Sequence, residues 1–294
     1  MRDEAPDAEE PGRGKKTGGG VAFRRVLDGA AGVARLLWER GWAERNAGNL
    51  SCDVTDIVPL GLADDVPLTP LGVAYPELAG RHLLVTGAGS RMRDVASAPE
   101  TWCGVLGFSE DGAAYGVGWQ GRDGTAFTPT SELPSHLAIH AALRRRGVPP
   151  RAVVHTHPTE LLALALEPGI GDEVRFNRLL WSLHPEMVVV VPTGVAVVPY
   201  VMPGTVEQGM AAGRAMETHD VALWLKHGAV AVGEDFGAAF DLLDTVNKAA
   251  RLYLLCRSAG IVPEGLSDAE VEELRRAYGP RSLGRTGPTW RATT

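Results

Sequence analysis

The sequence is poor in cysteine and contains no long apolar run. Its 294 residues include three cysteines, Cys52, Cys103 and Cys256, which lie far apart and form no CxxC pair. This usage predicts buried thiols in a reducing, cytoplasmic compartment and gives no cysteine cage for a structural metal. No apolar stretch reaches the ~18 residues expected of a membrane-spanning helix. We therefore expect no membrane partner.

Basic residues are also scarce. Lys and Arg number 29 against 36 Asp and Glu, which gives a net charge of -7. The only compact basic triplet is residues 144–146, which we interpret as the solvated end of a helix. Binding to a nucleic-acid backbone normally requires clustered Lys and Arg, so we expect no nucleic-acid partner.

The remaining composition is that of an ordinary soluble domain, with 45% hydrophobic and 22% charged residues. Residues 1–20 are charged and rich in Gly and Pro, lack the apolar core of a signal peptide, and are predicted to be a disordered tail. Residues 279–294 are predicted to be a loose C-terminal tail. We expect one domain over residues 21–278.

Apolar periodicity predicts an α/β domain with a mainly antiparallel central sheet flanked by helices. Helices are expected at 21–44, from "TSELPSH" to Gly147, at 159–166, at 175–183, over "GTVEQGMAAGRAMETH", over "DFGAAFDLLDTVNKAARLYLLCRSAG" and at 267–278. Strands are expected at "LSCDV", "HLLVTG", "AVVHTH", "MVVVVP", "VAVVPYV" and "VALWLKHGAVAVG", the last broken by a turn at His227-Gly228. Asp111-Gly112 indicates a further hairpin.

Two histidines follow an apolar strand in "VVHTHPTE". Alternate side chains of a strand share a face, so His155 and His157 can both reach one metal ion, and Pro158 ends the strand at the sheet rim. The alternative is a hydrogen-bonded pair in the core. His227 closes another apolar strand at a Gly turn and is the candidate third ligand. Three histidines with an open coordination position are typical of catalytic zinc.

Glu132, at the start of a predicted helix, is the candidate proton-transfer group; the alternative is a first-turn carboxylate that favours the helix dipole. Glu160 and Glu186 are further acids near the candidate metal elements. The turns "RNAGN" and "VTGAGS" can hold an anion through backbone amides, or serve only as turns. Neither is a P-loop or a dinucleotide-binding fingerprint.

Taken in order, "ERNAGNLS", "VTGAGS", "TSELPSH", "HTHPTE", "LW" followed by Glu186, "VMPGT" and "HGAVAVG" resemble the class II aldolase/adducin family. The resemblance runs from about Ala22 to Ala259. It implies a zinc-dependent lyase that forms a cyclic homotetramer with one Zn²⁺ per subunit. The lyase would cleave a ketose 1-phosphate, here L-rhamnulose 1-phosphate, to dihydroxyacetone phosphate and an aldehyde. The reaction would pass through a metal-stabilised enediolate.

The resemblance also implies roles for individual residues. His155, His157 and His227 would ligate zinc, and Glu132 would be the acid/base. Glu186 would be a second carboxylate, acting at the aldehyde end of the substrate in its own or a neighbouring subunit's site. The phosphate and enediolate pocket would be formed by Asn46, Gly48, Asn49, Gly87, Ala88, Thr130 and Ser131.

One motif departs from the family pattern, and other functions of the fold stay open. Family members that act on sugars carry Ser and Lys at the positions of Ala88 and Ser90, so a hydroxyl and a charge are missing. Fuculose-phosphate aldolases, pentulose-phosphate epimerases and methylthioribulose-phosphate dehydratases would keep the three histidines. An adducin-like interaction module would not need them, and metal-dependent hydrolysis usually uses HExxH, which is absent.

Overall fold

A computed structural model of the protein describes residues 17–58, 66–121, 126–147, 149 and 152–278. The helices are α1 (Thr17–Glu39), α2 (Met92–Ser97), α3 (Pro99–Trp102), α4 (Leu133–Arg145), α5 (Thr159–Leu164), α6 (Glu173–Leu183), α7 (Pro185–Val190), α8 (Val206–Ala215), α9 (Phe236–Ser258) and α10 (Asp268–Tyr278). The strands are β1 (Asn49–Asp53), β2 (Thr69–Pro70), β3 (His82–Thr86), β4 (Cys103–Phe108), β5 (Ala114–Gln120), β6 (Ala152–Thr156), β7 (Val195–Val198), β8 (Val221–Trp224) and β9 (Gly228–Gly233).

The strands form one nine-stranded sheet in the order β2-β5-β4-β3-β1-β6-β9-β8-β7. All neighbouring pairs are antiparallel except β7 and β8, which are parallel. The predicted mainly antiparallel α/β fold is therefore confirmed. The hairpin predicted at Asp111-Gly112 joins β4 to β5, and Gly112 adopts the positive φ of +66° that such a turn favours.

Helices cover both faces of the sheet. On one face, α1, α5, α6 and α9 pack through residues such as Leu37, Phe176 and Leu243 against strand residues such as Leu50 and Val154. On the other face, α4 and α8 pack over the remaining strand residues. Because side chains alternate along a strand, β1 gives Leu50 and Cys52 to the first core and turns Asn49 and Ser51 toward α4. The polar residues of β1 thus lie beside α4.

The first helix is shifted relative to its prediction over residues 21–44. It begins at Thr17, inside the predicted N-terminal tail, and ends at Glu39. Gly41 ends it with a φ of +70°, while the amides of Gly41 and Trp42 bond back to the Trp38 and Leu37 carbonyls. This Schellman-type ending needs a residue tolerant of positive φ. The rest of the N-terminal tail, and the C-terminal tail at 279–294, lie outside the described residues.

The strand predicted at "MVVVVP" is wrong, because this segment is helix α7. Pro185 occupies the first helical turn, where its fixed φ and missing N–H cost nothing. Met187 and Val188 are buried where α7 packs on α6, α9 and α10. Tertiary packing has overridden the β propensity of the valines. The following strand, β7, pairs instead with β8.

The cysteines and the membrane prediction can be compared with the structure directly. Cys52 and Cys103 are buried free thiols, and Cys256 is a partly buried one. Burial raises the pKa of Cys103 to about 12, so this thiol is unreactive. No helix among the described residues has the length and apolar character needed to cross a membrane. The cytoplasmic location stays a prediction.

Candidate active site

Three imidazoles converge at the sheet rim. His155 is the penultimate residue of β6, His157 follows that strand, and His227 lies in the turn between β8 and β9. One ring nitrogen from each lies within 4.8 Å of the others, a spacing that suits a single metal ion. Gly228 makes this approach possible, because a Cβ there would lie 2.6 Å from His155 Cε1 and 2.8 Å from His157 Cδ2.

Two of the rings are oriented by hydrogen bonds from the nitrogen that faces away from the cluster. Nδ1 of His155 lies 3.0 Å from the Ala229 carbonyl oxygen, and Nδ1 of His157 lies 2.8 Å from Oε1 of Glu44. Since both partners only accept hydrogen bonds, each Nδ1 carries a proton. Each Nε2 is then free to offer its lone pair to a metal, the usual arrangement for a ligating histidine.

His227 is oriented differently. Its Nδ1 lies 3.0 Å from Nε2 of Gln208, whose Oε1 accepts a hydrogen bond from the Gly204 amide at 2.7 Å. The Gln208 amide therefore donates to His227 Nδ1, which leaves the proton of the neutral ring on Nε2. That Nε2 lies 3.1 Å from Oε1 of Glu132. For His227 to bind a metal through Nε2, the ring proton must move from Nε2 to Nδ1. There it would face the N–H donor of Gln208.

Glu132 lies directly against the histidines. It precedes α4 and is buried, with Oε2 3.1 Å from His155 Nε2 and 2.8 Å from Asn49 Nδ2, which donates to it. Burial alone would raise the pKa of this carboxyl, but the charge that His155 carries when protonated and the hydrogen bonds from His227 and Asn49 outweigh burial. They hold the pKa well below its usual range. Glu132 is therefore an anion beside the three rings.

His155 is neutral at pH 7. Burial lowers the pKa of His155 to about 4, although the nearby Glu132 carboxylate opposes the shift. A neutral imidazole has the lone pair that a metal ion needs, and the three ring nitrogens are close enough to share one divalent cation. The residues present fit the metal implied by the sequence resemblance.

A cavity of about 190 Å³ opens above Glu132 and the three rings. Every predicted site residue except Glu186 contributes to its wall, which also includes Ala47, Gly89, Ser90 and Pro203. The full lining is Asn46, Ala47, Gly48, Asn49, Gly87, Ala88, Gly89, Ser90, Thr130, Ser131, Glu132, His155, His157, Pro203 and His227. The turns predicted to bind an anion, Arg45–Asn49 and Val85–Ser90, therefore do meet the histidines in one cavity.

Several hydrogen-bond donors of the turn Val85–Ser90 are already bonded to backbone carbonyls. The amides of Gly87 and Ala88 donate to the carbonyls of Trp102 and Thr128, each at 2.8 Å. The hydroxyl of Ser90, where the family pattern has Lys, donates to the Gly87 carbonyl at 2.7 Å. An anion in the cavity has to draw on other donors as well.

Glu186 lies apart from this cavity. Its side chain is 69% exposed on α7, and Oε2 accepts a hydrogen bond from Nδ1 of His184 at 2.9 Å. That bond lowers the pKa of Glu186. Glu186 is not among the residues that line the cavity of its own chain. The structure thus brings together all the predicted site residues but this one.

Sequence reasoning missed the polar residues beneath Glu132. Nε2 of His136 lies 2.5 Å from Oδ1 of Asn49, and Nδ1 of His136 lies 2.6 Å from Oγ of Ser51. Nε2 of His140 lies 2.8 Å from the same Oγ. A signal was present, because Glu132, His136 and His140 recur every four residues and so share one face of α4.

Comparisons with known proteins agree with this geometry. Residues 29–254 match the family model described as Class II Aldolase and Adducin N-terminal domain. A rhamnulose-1-phosphate aldolase of Bacteroides thetaiotaomicron is 36% identical over 261 residues, which cover 87% of this chain and 95% of the relative. One from Enterococcus faecalis is 36% identical over 252 residues, covering 84% and 88% of the two chains.

A solved structure extends the similarity to the fold. The sugar-phosphate aldolase from Thermotoga maritima superposes with a TM-score of 0.69 at 32% identity, covering 83% of this chain and all of the other. Sequence, fold and family model thus agree over nearly the whole described chain. The chain belongs to the class II aldolase and adducin family, and it is a carbon–carbon lyase of the class II aldolase type.

Proposed function

We propose that the protein is a zinc-dependent aldolase that cleaves L-rhamnulose 1-phosphate to dihydroxyacetone phosphate and L-lactaldehyde. The observation that carries the proposal is the cluster of three imidazole nitrogens within 4.8 Å of one another, beside the buried carboxylate of Glu132. A metal site next to an ionised carboxylate is what retro-aldol chemistry without a Schiff-base lysine requires.

Support for the substrate comes from the relatives. Those named rhamnulose-1-phosphate aldolase match nearly their full length at 36% identity. An L-fuculose 1-phosphate aldolase of known structure is 20% identical with a TM-score of 0.57, so it supports the fold alone. We therefore favour L-rhamnulose 1-phosphate as the substrate over fuculose 1-phosphate and over the pentulose and methylthioribulose phosphates.

His155, His157 and His227 would hold the zinc ion through Nε2. Three neutral imidazoles leave coordination positions free, as in other catalytic zinc sites. When bound, a divalent cation supplies Lewis acidity for the negative charge that develops on the ketose oxygens. The Nδ1 bonds of His155 and His157 fix the direction of their rings before the cation arrives.

Glu132 would be the acid/base of the reaction. Cleavage of the bond between C3 and C4 of the ketose leaves its electron pair on C3, which must gain a proton to give dihydroxyacetone phosphate. A carboxylate at the floor of the cavity, ionised because its neighbours hold its pKa low, can carry that proton to and from the carbon. The hydroxyl on C4 must lose its proton as the aldehyde forms.

Glu186 would handle that second proton. Because it lies outside the cavity of its own chain and is exposed on α7, we propose that it acts in the site of a neighbouring subunit. The proposal includes the cyclic homotetramer that the sequence resemblance implies, since a closed ring gives each site the same neighbour.

The phosphate would bind between the two turns of the cavity wall. Asn46, Gly48, Asn49, Gly87, Ala88, Thr130 and Ser131 are the residues we assign to the phosphate and enediolate pocket. With the amides of Gly87 and Ala88 already bonded to backbone carbonyls, the side chains of Asn46 and Ser131 would carry more of the binding. Such contacts position the bond to be cut.

A substrate panel tests the proposal. Zinc-loaded protein is incubated separately with L-rhamnulose 1-phosphate, L-fuculose 1-phosphate, L-ribulose 5-phosphate and methylthioribulose 1-phosphate, and products are identified by NMR. We expect cleavage of the rhamnulose phosphate with the highest kcat/KM. If the protein converts another compound of the panel and leaves the rhamnulose phosphate intact, the substrate assignment is wrong and the metal-site assignment stands.

A further inference from the structure

A line of buried polar side chains runs from Glu132 into the protein between β1 and α4. Asn49, His136, Ser51 and His140 follow one another at hydrogen-bonding distances of 2.8, 2.5, 2.6 and 2.8 Å, counted from Glu132 inward. All of them are less than 10% exposed. We call these four residues the relay. Its inner members do not touch the cavity.

The direction of every hydrogen bond in the relay follows from the carboxylate at its outer end. An ionised Glu132 only accepts, so the Asn49 amide must turn Nδ2 toward it and Oδ1 toward His136. Oδ1 also only accepts, so Nε2 of His136 carries a proton. The neutral ring then has a bare Nδ1, which accepts from the hydroxyl of Ser51. The oxygen of Ser51 in turn accepts from Nε2–H of His140.

Burial keeps both relay histidines neutral, which this pattern requires. It lowers the pKa of His136 to about 3 and that of His140 to about 4. A second proton on His136 would place a donor against the Ser51 hydroxyl. The reversed pattern, with all donors turned around, fails only at Glu132, where Oδ1 of Asn49 would meet a carboxylate oxygen. The relay thus has one arrangement compatible with an ionised Glu132.

The bond from Asn49 differs from the other contacts of Glu132. The other two partners are Nε2 of His155 and Nε2 of His227, the same atoms proposed to bind the metal. A nitrogen that gives its lone pair to a metal has no proton to donate to Glu132. The Asn49 bond does not depend on those atoms, and it reaches Oε2 rather than Oε1.

We infer that His136, Ser51 and His140 are positioning residues that lock the Asn49 amide, so that Oε2 of Glu132 is held and Oε1 is the oxygen that exchanges a proton with the substrate. The inference rests on the acid/base role proposed for Glu132. Of the relay only Asn49 reaches the cavity, and His136, Ser51 and His140 would act on the substrate only through it. A buried polar chain of this kind is stabilising only when its hydrogen bonds are made, and the single arrangement makes all four.

Exchange of the hydroxymethyl proton of dihydroxyacetone phosphate in D₂O, followed by ¹H NMR, isolates the step assigned to Glu132 because it needs no aldehyde. His136→Leu removes the donor to Asn49, whereas His136→Gln can keep one. Ser51→Ala removes only the inner link. Ser135→Ala is the matched control, since Ser135 neighbours His136, is equally buried and has an unpartnered hydroxyl.

We expect His136→Leu to lower the exchange rate about 10- to 100-fold, in line with the loss of other supporting hydrogen bonds at active sites. His136→Gln should recover most of the rate. Ser51→Ala should lower it about 2- to 10-fold, the range of one hydrogen bond. All variants should keep the zinc content and KM of the wild type. Wild-type exchange in His136→Leu, equal loss in His136→Gln, or loss in Ser135→Ala would overturn the inference.

The tautomers give a test that needs neither a folded variant nor activity. Long-range ¹H–¹⁵N spectra of the zinc-loaded wild type distinguish protonated from bare ring nitrogens. We expect Nε2–H with a bare Nδ1 for both His136 and His140, and Nδ1–H for either ring would overturn the relay. If the wild type neither exchanges nor cleaves while the tautomers are as expected, the proposed function fails and the direction of the relay stands.

Discussion

Nε2 of His155 lies 3.1 Å from Oε2 of Glu132, and both side chains are buried. The two residues come from a strand and from the start of a helix, and they meet because β6 pairs with β1 while α4 packs over β1 on the same face. The contact joins the candidate metal cluster to the candidate acid/base. Metal binding by His155 and proton transfer by Glu132 can be measured separately.

Removing a ligand should remove the metal. We expect His155→Ala to lower the zinc content, measured by mass spectrometry, from about one ion per subunit to less than a tenth, and to abolish aldol cleavage. His82→Ala is the control, because the ring nitrogens of His82, on β3, have no hydrogen-bond partner among the described residues. Full zinc content in His155→Ala would contradict the assignment of this ligand.

Removing the charge of Glu132 should stop proton transfer and spare the metal. In Glu132→Gln the amide keeps the volume of the side chain, so we expect the zinc content to stay at the wild-type level. The cleavage rate should fall about 10²- to 10⁴-fold, the usual contribution of a positioned acid/base group. Steady-state kinetics on zinc-loaded protein measure this. A fall of less than about threefold would exclude Glu132 as the acid/base, because the loss of an effective acid/base group lowers the rate by more than that.

Replacing Gln208 by Glu should strengthen metal binding. A carboxylate at this position can accept from the Gly204 amide and from Nδ1–H of His227 at once, which the amide cannot do. We expect about tenfold tighter zinc binding in competition with a chelator, as for other partners of metal-bound histidine. The metal-free variant should be less stable than the wild type, because Gln208 is buried and no cation offsets the new charge.

Gln208→Met is the comparison variant for that experiment. It fills the same space but offers no acceptor, so it should bind zinc no more tightly than the wild type. Equal or weaker zinc binding in Gln208→Glu would show that the His227 proton does not move to Nδ1 when the metal binds.

The metal-free protein should lose stability as the pH falls from about 6.5 to about 4. Burial lowers the pKa of His136 to about 3 and the pKa values of His140 and His155 to about 4, from an ordinary value of 6.5. In this window the unfolded chain binds protons at these rings and the folded chain does not, so acid favours unfolding. Each ring contributes a slope of about 1.4 kcal/mol per pH unit.

Urea unfolding midpoints at pH 7, 6 and 5 measure this slope. Glu132 does not contribute to this slope at pH values above its ordinary pKa. Its carboxyl is ionised there in the unfolded chain, and its lowered pKa keeps it ionised in the folded chain. His136→Gln removes one of the titrating rings and should make the slope shallower by about a third. A slope unchanged by this substitution would mean that His136 is protonated in the folded state.

Mixing two inactive variants should restore activity if Glu186 acts in a neighbouring subunit. Glu132→Gln and Glu186→Gln homotetramers are dissociated, combined in equal amounts and reassembled. Each site needs Glu132 from one chain and Glu186 from the next, so about a quarter of the sites regain both carboxylates. Cleavage rates before and after mixing measure the recovery. No recovery, with mixed tetramers verified by mass spectrometry, would place Glu186 in its own subunit's site.

Much of this site could be predicted from the sequence, because local spacing fixes it. The period of a strand puts His155 and His157 on one face, and Pro134 and Asp111-Gly112 mark a helix start and a hairpin. Contacts set by packing could not be predicted in this way. The valines of α7 have strand propensity but are helical because of their neighbours. The relay depends on register: Asn49 pairs with His155, which places both beside α4.

Product analysis with L-rhamnulose 1-phosphate shows whether the three histidines and Glu132 form a metal-dependent aldol centre. Zinc-loaded, chelator-treated and zinc-loaded Glu132→Gln proteins are compared by NMR for the release of dihydroxyacetone phosphate and L-lactaldehyde. We expect both products from the first sample and almost none from the others. Equal product from the chelator-treated protein, verified to be metal-free, or no product from the zinc-loaded wild type, would contradict this expectation.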